Sequence, residues 1–159
     1  MTDPTMTAIT DAVAQGHAGD KAGARQTLTN LWERIGPAGD PLHRCTLAHY
    51  LADLHDDAAE SLVWNVRALD AAMTLTDSRL RLHHDGLSVA GFFPSLHLNL
   101  ADDLRRLGSF AAAAAHIDAA RRHQDALAGD GYGSMIRRAI KEVGQAIAAR
   151  VTERRAIAR

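Results

Sequence analysis

The sequence predicts an all-α protein of stacked antiparallel helical hairpins, and three observations predict it. Small residues recur in pairs across short polar or glycine-bearing turns: Ala12 and Ala24 across Gly19-Asp20, Ala48 and Ala59 across His55-Asp56, Ala101 and Ala113 across Gly108-Ser109. A small side chain on each arm lets two helix backbones approach closely, so a recurring pair implies a recurring hairpin. Aromatic residues make up only 4% of the chain, and alanine and leucine dominate its apolar share, a balance that favours helix over strand. No run of alternating residues marks a sheet strand.

The elements run in chain order. Thr5 or Thr7 is placed to cap a first helix over about 6–16, with Ile9, Ala12 and Val13 inward. Gly16, Gly19 and Asp20 break it, and a second helix over about 20–35 carries Ala24, Leu28, Leu31, Trp32 and Ile35 at helical spacing. Gly36-Pro37-Ala38-Gly39-Asp40-Pro41 stops the chain, with Pro41 suited to a first helical position. The third helix, about 41–54, carries Leu42, Cys45, Ala48, Leu51 and Leu54. The fourth, about 57–74, carries Ala59, Leu62, Val63, Val66, Leu69 and Met73 as its apolar positions. Thr76-Asp77-Ser78 offers caps for a fifth helix over about 78–90, which Gly86 weakens. Pro94 opens a sixth over about 94–107, with Leu96, Leu100, Leu104 and Leu107 as a stripe. A seventh spans about 109–127, Gly129–Gly133 form a flexible turn, and a last helix over about 134–155 aligns Ile136, Ile140, Val143, Ile147 and Val151.

At 159 residues the chain reads as a single helical domain, 1–159, long enough to bury a core. Net charge is −1, which gives no case for nucleic acid or an acidic substrate. Residues 1–60 hold nine acids and four bases, and residues 134–159 seven bases and two acids, which marks either an interaction tail or a last helix whose outer face is wet. One cysteine, Cys45, excludes an internal disulfide and any multi-cysteine zinc site. No signal peptide or membrane span is visible, which places the protein in the cytoplasm.

The third hairpin resembles a tetratricopeptide repeat, whose signature sets W-xx-L-G-xx-Y on one helix and A-xxx-F then A on the next. Here His97-xx-Leu100-Ala101-xx-Leu104 is followed by Gly108, Phe110, Ala113-xxx-Ile117 and Ala120. The first hairpin is similar: Ala8-xx-Asp11-Ala12-xx-Gln15, Gly19-Asp20, Ala24-xxx-Leu28, Leu31, closing at Pro37. The middle one reads Arg44-xx-Leu47-Ala48-xx-Leu51, then Ala59-xxx-Val63 and Val66, with a turn one residue shorter. The hairpins cover about 5–38, 41–73 and 94–127, leaving an inserted helix at about 78–90 and a capping helix at about 134–155. A helical bundle containing repeat-like hairpins is the competing architecture.

The resemblance implies a non-enzymatic scaffold, a protein–protein interaction module whose first helices (one, three and six) line a concave groove for a peptide or helix. Groove-facing positions would be Ile9 and Val13, then Cys45, His49 and Asp53, then Leu98, Asn99, Asp102, Arg105 and Arg106. Asn99 and the two arginines suit a bound backbone and a carboxylate, since the guanidinium fork pairs both oxygens. The plain alternative is an exposed face with i,i+3 and i,i+4 pairs. The partner would be a protein or peptide, with no cofactor, metal or membrane.

Two other functions remain open. His55, His84-Asp85 and Asp118 or Asp125 occur in the order of metal ligands in helical HD-type phosphohydrolases. The groove could instead pair with a second copy of the chain. Otherwise His43, His49 and His55 are six apart and rotate off a common face, whereas His116 and His123, seven apart, can share one. Cys45 reads as a buried inert thiol, and Trp32 and Trp64 as core packing. No phosphate-binding glycine loop or serine-hydrolase elbow is present.

Overall fold

The structure, a computed structural model, describes residues 2–83 and 88–155. Among these residues the regular structure is helical: α1 (Pro4–His17), α2 (Lys21–Ile35), α3 (Pro41–Asp53), α4 (Ala58–Met73), α5 (Asp77–His83), α6 (Phe93–Arg106), α7 (Phe110–His123) and α8 (Gly131–Ala148). Short 3-10 turns lie at Val89–Gly91 and Gln124–Ala126. The chain divides into two compact units, Met1–Val89 and Ala90–Arg159.

Aspartates set where most of the helices begin. Asp3, Asp20, Asp40, Asp57 and Asp130 accept hydrogen bonds from the first free N–H groups of α1, α2, α3, α4 and α8. Each such cap contributes about 1 kcal/mol. Asp3, rather than Thr5 or Thr7, caps α1, and Thr7 donates back to the Asp3 carbonyl. Two of these caps do more. Arg79 of α5 donates to Asp40 at 2.6 Å and reaches Asp3 at 3.5 Å, while His43 lies 2.8 Å from Asp3. Partial burial pushes both carboxyl pKa values up, but these partners and the capped N–H groups win and hold them below the usual range.

In the first unit α1 packs on α2 and α3 on α4, and α3 also touches both α1 and α2. Ile9, Ala12, Ala24, Leu28, Leu31, Leu47, Leu51 and Leu54 form its core. In the second unit α6 packs on α7, and α8 lies against both. Leu98, Ala101, Ala113, Ile117 and Ala120 meet Ile136, Ile140, Val143 and Ile147 of α8 there. Ala12 and Ala24 are therefore core residues of one hairpin, as Ala101 and Ala113 are of another. Gly19 (φ 109°) and Gly108 (φ 76°) turn these two hairpins through the left-handed region.

The middle hairpin differs. Its turn lacks glycine and closes through Leu54 and His55 N–H groups on Leu51 and Ala52. α4 buries Ser61, Asn65, Ala68, Ala71 and Ala72. Ala59 is exposed, as are Val63, Val66 and Met73, and Leu62 and Leu69 are half-buried. The expected Ala48–Ala59 seam is thus replaced by one in which the smaller side chains of α4 face inward. Close approach selects size over hydrophobicity, and the bulkier valines are left outside. Trp32 and Trp64 are also half-buried rather than central. They meet edge to face at 5.2 Å, with Arg44 4.1 Å over Trp32 and Arg67 4.4 Å over Trp64.

Other boundaries shift too. The described part of α5 is short, and residues 84–87, including His84 and Asp85, lie outside the described residues. α7 gives way to a 3-10 turn at Gln124, and α8 starts at Gly131 under the Asp130 cap and stops at Ala148.

Ala101→Leu and Ala113→Leu should each cost about 1–3 kcal/mol through overpacking, because both positions are 0% exposed. Ala59→Leu should stay within about 0.5 kcal/mol. Urea unfolding followed by circular dichroism separates the two classes, and equal costs at all three positions would refute this packing.

Candidate peptide-binding surface

The decisive geometry begins where α8 ends. Ala149 caps the helix, and Arg150 takes a left-handed conformation at φ 55°. The Arg150 N–H bonds the Ile147 carbonyl and the Val151 N–H bonds the Ala146 carbonyl, both at 3.0 Å. This is the Schellman closure, normally built on glycine. A side chain in that region costs about 1–3 kcal/mol and persists where surrounding contacts enforce it. Val151 is consequently exposed and off the α8 stripe, contrary to the helical spacing.

Residues 151–155 are non-helical and run back beside α6 and α8. Arg105 of α6 donates through Nη1 to the Val151 carbonyl at 2.7 Å and to the Glu153 carbonyl at 2.9 Å. The chain bends at Glu153, which brings these two carbonyls close enough for one guanidinium nitrogen to reach both. Its Nε and Nη2 face Asp102 Oδ1 at 2.9 and 2.8 Å. Arg155 pairs with Glu142 of α8. The Arg150 guanidinium sits 5.4 Å from the Phe110 ring at the start of α7. The segment is thus held by side chains from α6 and α8, and the turn before it rests on Phe110 of α7.

Arg105 is 0% exposed. A buried cation is tolerated when its charge is paired. Asp102 supplies the charge and a bond to Nε, the two carbonyls take Nη1, and Nη2 has the ion pair with Asp102 but no hydrogen bond. Its place on α6 was expected. Its burial under the chain's own C-terminal segment was not. On the same helix Asn99, Asp102 and Arg106 are half-buried, and Arg106 lies 3.9 Å from the buried Asp103. Leu98 is a core residue.

The other expected groove residues belong to the first unit. Cys45 is buried, and that burial pushes its thiol up to about 12, so it is an inert interior group. Ile9 also lies wholly in the core, while Val13 is half-buried against it. His49 is half-buried, with its ring 5.6 Å from that of Tyr50. Desolvation by the surrounding protein raises the Asp53 carboxyl pKa against the pull of His49 and His17, although its side chain is also open to solvent. The open part of the α3 face is therefore His49, Tyr50 and Asp53.

A second cluster joins α6 to α7. His97 Nδ1 lies 3.1 Å from His116 Nδ1. The His97 ring stacks on His123 at 5.9 Å with 3° between planes, and Phe93 lies 5.2 Å from His123. His116 and His123 do share a face, as their spacing indicates. His97 completes the group, and the hairpin register that sets Ala101 against Ala113 would have located it. Burial, then His116, His123 and Arg122, depresses the His97 pKa to about 4, and burial lowers that of His116.

Among the described residues no group of three or more His, Cys, Asp or Glu side chains is placed to hold a metal ion. His55 instead lies 3.2 Å from Glu60, and Asp118 pairs with Arg121 at 3.0 Å. No described helix is long and apolar enough to cross a membrane. No known protein family, curated protein or solved structure matches this chain.

The sequence pattern gave no sign of Glu142 or the backbone of 151–155 as parts of the surface. The β-branched pair Val151-Thr152, weak in helices, is the available signal that α8 ends before them.

For His97 the folded pKa, about 4, lies below the ordinary 6.5. The unfolded chain therefore takes up the proton first, and stability falls as pH drops from about 6.5 towards about 4. His97→Gln should flatten that part of the profile, read as urea midpoints across the window. An unchanged slope would show that His97 is not its source.

Proposed function

We propose that this chain is a protein-interaction module that binds a non-helical peptide segment of a partner. The observation that supports this best is the Arg105 contact: a buried guanidinium on α6 already grips two main-chain carbonyls of a non-helical segment. Recognition through carbonyls tolerates varied side chains, which suits a module reading a segment rather than one residue.

The packing pattern supports the same reading. α3 lies across both α1 and α2, and α8 lies across both α6 and α7. A helix seated on the preceding pair is how helical repeats extend, and a divergent tetratricopeptide-like array is the architecture we assign. In this reading α8 closes its hairpin, and His49, Tyr50 and Asp53 on α3 offer an open polar and aromatic face.

A photo-reactive phenylalanine analogue placed in turn at Tyr50, Asp53 and Asn30 tests the module in its native cells. Asn30 is exposed on α2 and serves as the control. Positions 50 and 53 should yield one discrete covalent partner and position 30 none. A synthetic peptide copying the cross-linked segment should then bind the purified chain with 1:1 stoichiometry by calorimetry. The same adducts from all three positions, or no adduct at 50 and 53, would remove the reading.

One feature favours a second reading, that of a self-associating helical protein. Val63, Val66 and Met73 leave 47%, 52% and 71% of their surfaces exposed on α4, and no described contact covers them. Light scattering tests it: a stable dimer that Val66→Asp converts to monomer would replace a partner peptide with a second copy.

A further inference from the structure

We infer that the surface formed by α6 and α8 is a binding site for a bent, non-helical basic segment, and that the chain's own residues 151–155 occupy it in cis. This rests on the peptide-module reading and names the ligand class and the internal competitor. The ligand register is readable from the contacts. Arg105 takes the carbonyls of Val151 and Glu153, and Glu142 takes the side chain of Arg155. A matching partner therefore presents two carbonyls two residues apart, and two residues later an arginine or lysine. The spacing of the contacts, not the identity of the intervening residues, sets the preference.

Two observations mark the segment as an occupant rather than a continuation of the helix. Its contacts are peptide-like: main-chain carbonyls at one edge and one charged side chain at the other. Its entry point is the left-handed Arg150, which reverses the chain at the end of α8. A residue in that conformation is retained by the contacts of its neighbours, so the closed arrangement depends on the docked segment. An outside ligand making the same contacts releases the segment and its strained turn together.

The test uses the full chain and a fluorescein-labelled synthetic peptide copying residues 148–155, with binding read by anisotropy. Arg150→Pro fixes φ near −65° and removes the N–H that bonds Ile147, so the segment cannot fold back. This variant should bind the peptide saturably and at least tenfold more tightly than the wild-type chain. A peptide carrying Arg155→Glu should bind the variant at least tenfold more weakly. Folded Arg150→Pro protein that fails to bind, or wild-type protein that binds equally well, would overturn the inference. Should Arg150→Pro lose its helical spectrum, Arg155→Glu in the full chain carries the test, since it repels the segment from Glu142 and leaves α8 intact. It should gain peptide affinity several-fold, and no gain would overturn the inference. Failure here with a discrete partner still cross-linked at Asp53 would sink cis occupancy and leave the module standing. Cross-linking failure with peptide binding intact would do the reverse.

Discussion

Close approach of paired helices through small side chains is the constraint on which the rest of the structure depends. Alanine allows the approach but buries little apolar area, about a methyl group per contact. A hairpin seamed with alanine is therefore weakly held by itself. Each unit resolves this by laying a leucine- or isoleucine-bearing helix over a pair: α3 with Leu47 and Leu51 over α1 and α2, and α8 with Ile136, Ile140, Val143 and Ile147 over α6 and α7. The third helix is thus an energetic requirement of the seam. The middle hairpin shows the same constraint from its other side. α4 gives up burial of Val63 and Val66 to bring Ser61, Ala68 and Ala72 inward.

That exchange explains what was legible in the sequence. Helix existence was readable because caps, glycines and prolines are local, and an alanine pair flanking a glycine turn marks a hairpin seam in both Gly19 and Gly108 hairpins. The register of α4 was not readable. An apolar stripe and a small-residue stripe compete on one helix, and the winner depends on the curvature of a glycine-free turn. Of the proposed site, Arg105 and Asp102 were placeable because they share a helical face with Asn99. Whether that face met solvent or chain was not, since the answer lies in a reversal at Arg150 that no glycine announces. Cys45 and Ile9 went inside for a simpler reason: α1 and α3 pack against each other as well as against their hairpin partners, so the faces expected to line a groove are partly spent on that contact.

Arg105 illustrates how a buried charge can organise a surface. Removed from water, a guanidinium needs an anion and acceptors for its remaining N–H groups. Asp102, one turn earlier, supplies the anion. Acceptors cannot come from α6 itself, whose carbonyls are taken within the helix. They come instead from a segment without regular structure, whose carbonyls are unclaimed, which is the same reason a non-helical peptide suits the site. Lysine would serve poorly here, because its point charge cannot span Asp102 and two carbonyls in one plane.

Tethering sets the scale of any competition at this surface. Arg150 and Val151 connect α8 directly to the docked residues, so the segment is presented at the high effective concentration of a short intramolecular link, on the order of millimolar. If the segment occupies the site in cis, an outside ligand with identical contacts is at a disadvantage, because its apparent affinity is reduced by the fraction of open sites. The left-handed Arg150 works against the tether. Its strain raises the energy of the closed form alone, and relief of that strain on opening favours displacement. A glycine at the same position would close the turn without that cost and hold the segment more firmly. An arginine there, anchored lightly over Phe110, leaves the two states closer in energy, which is the condition under which a ligand can choose between them.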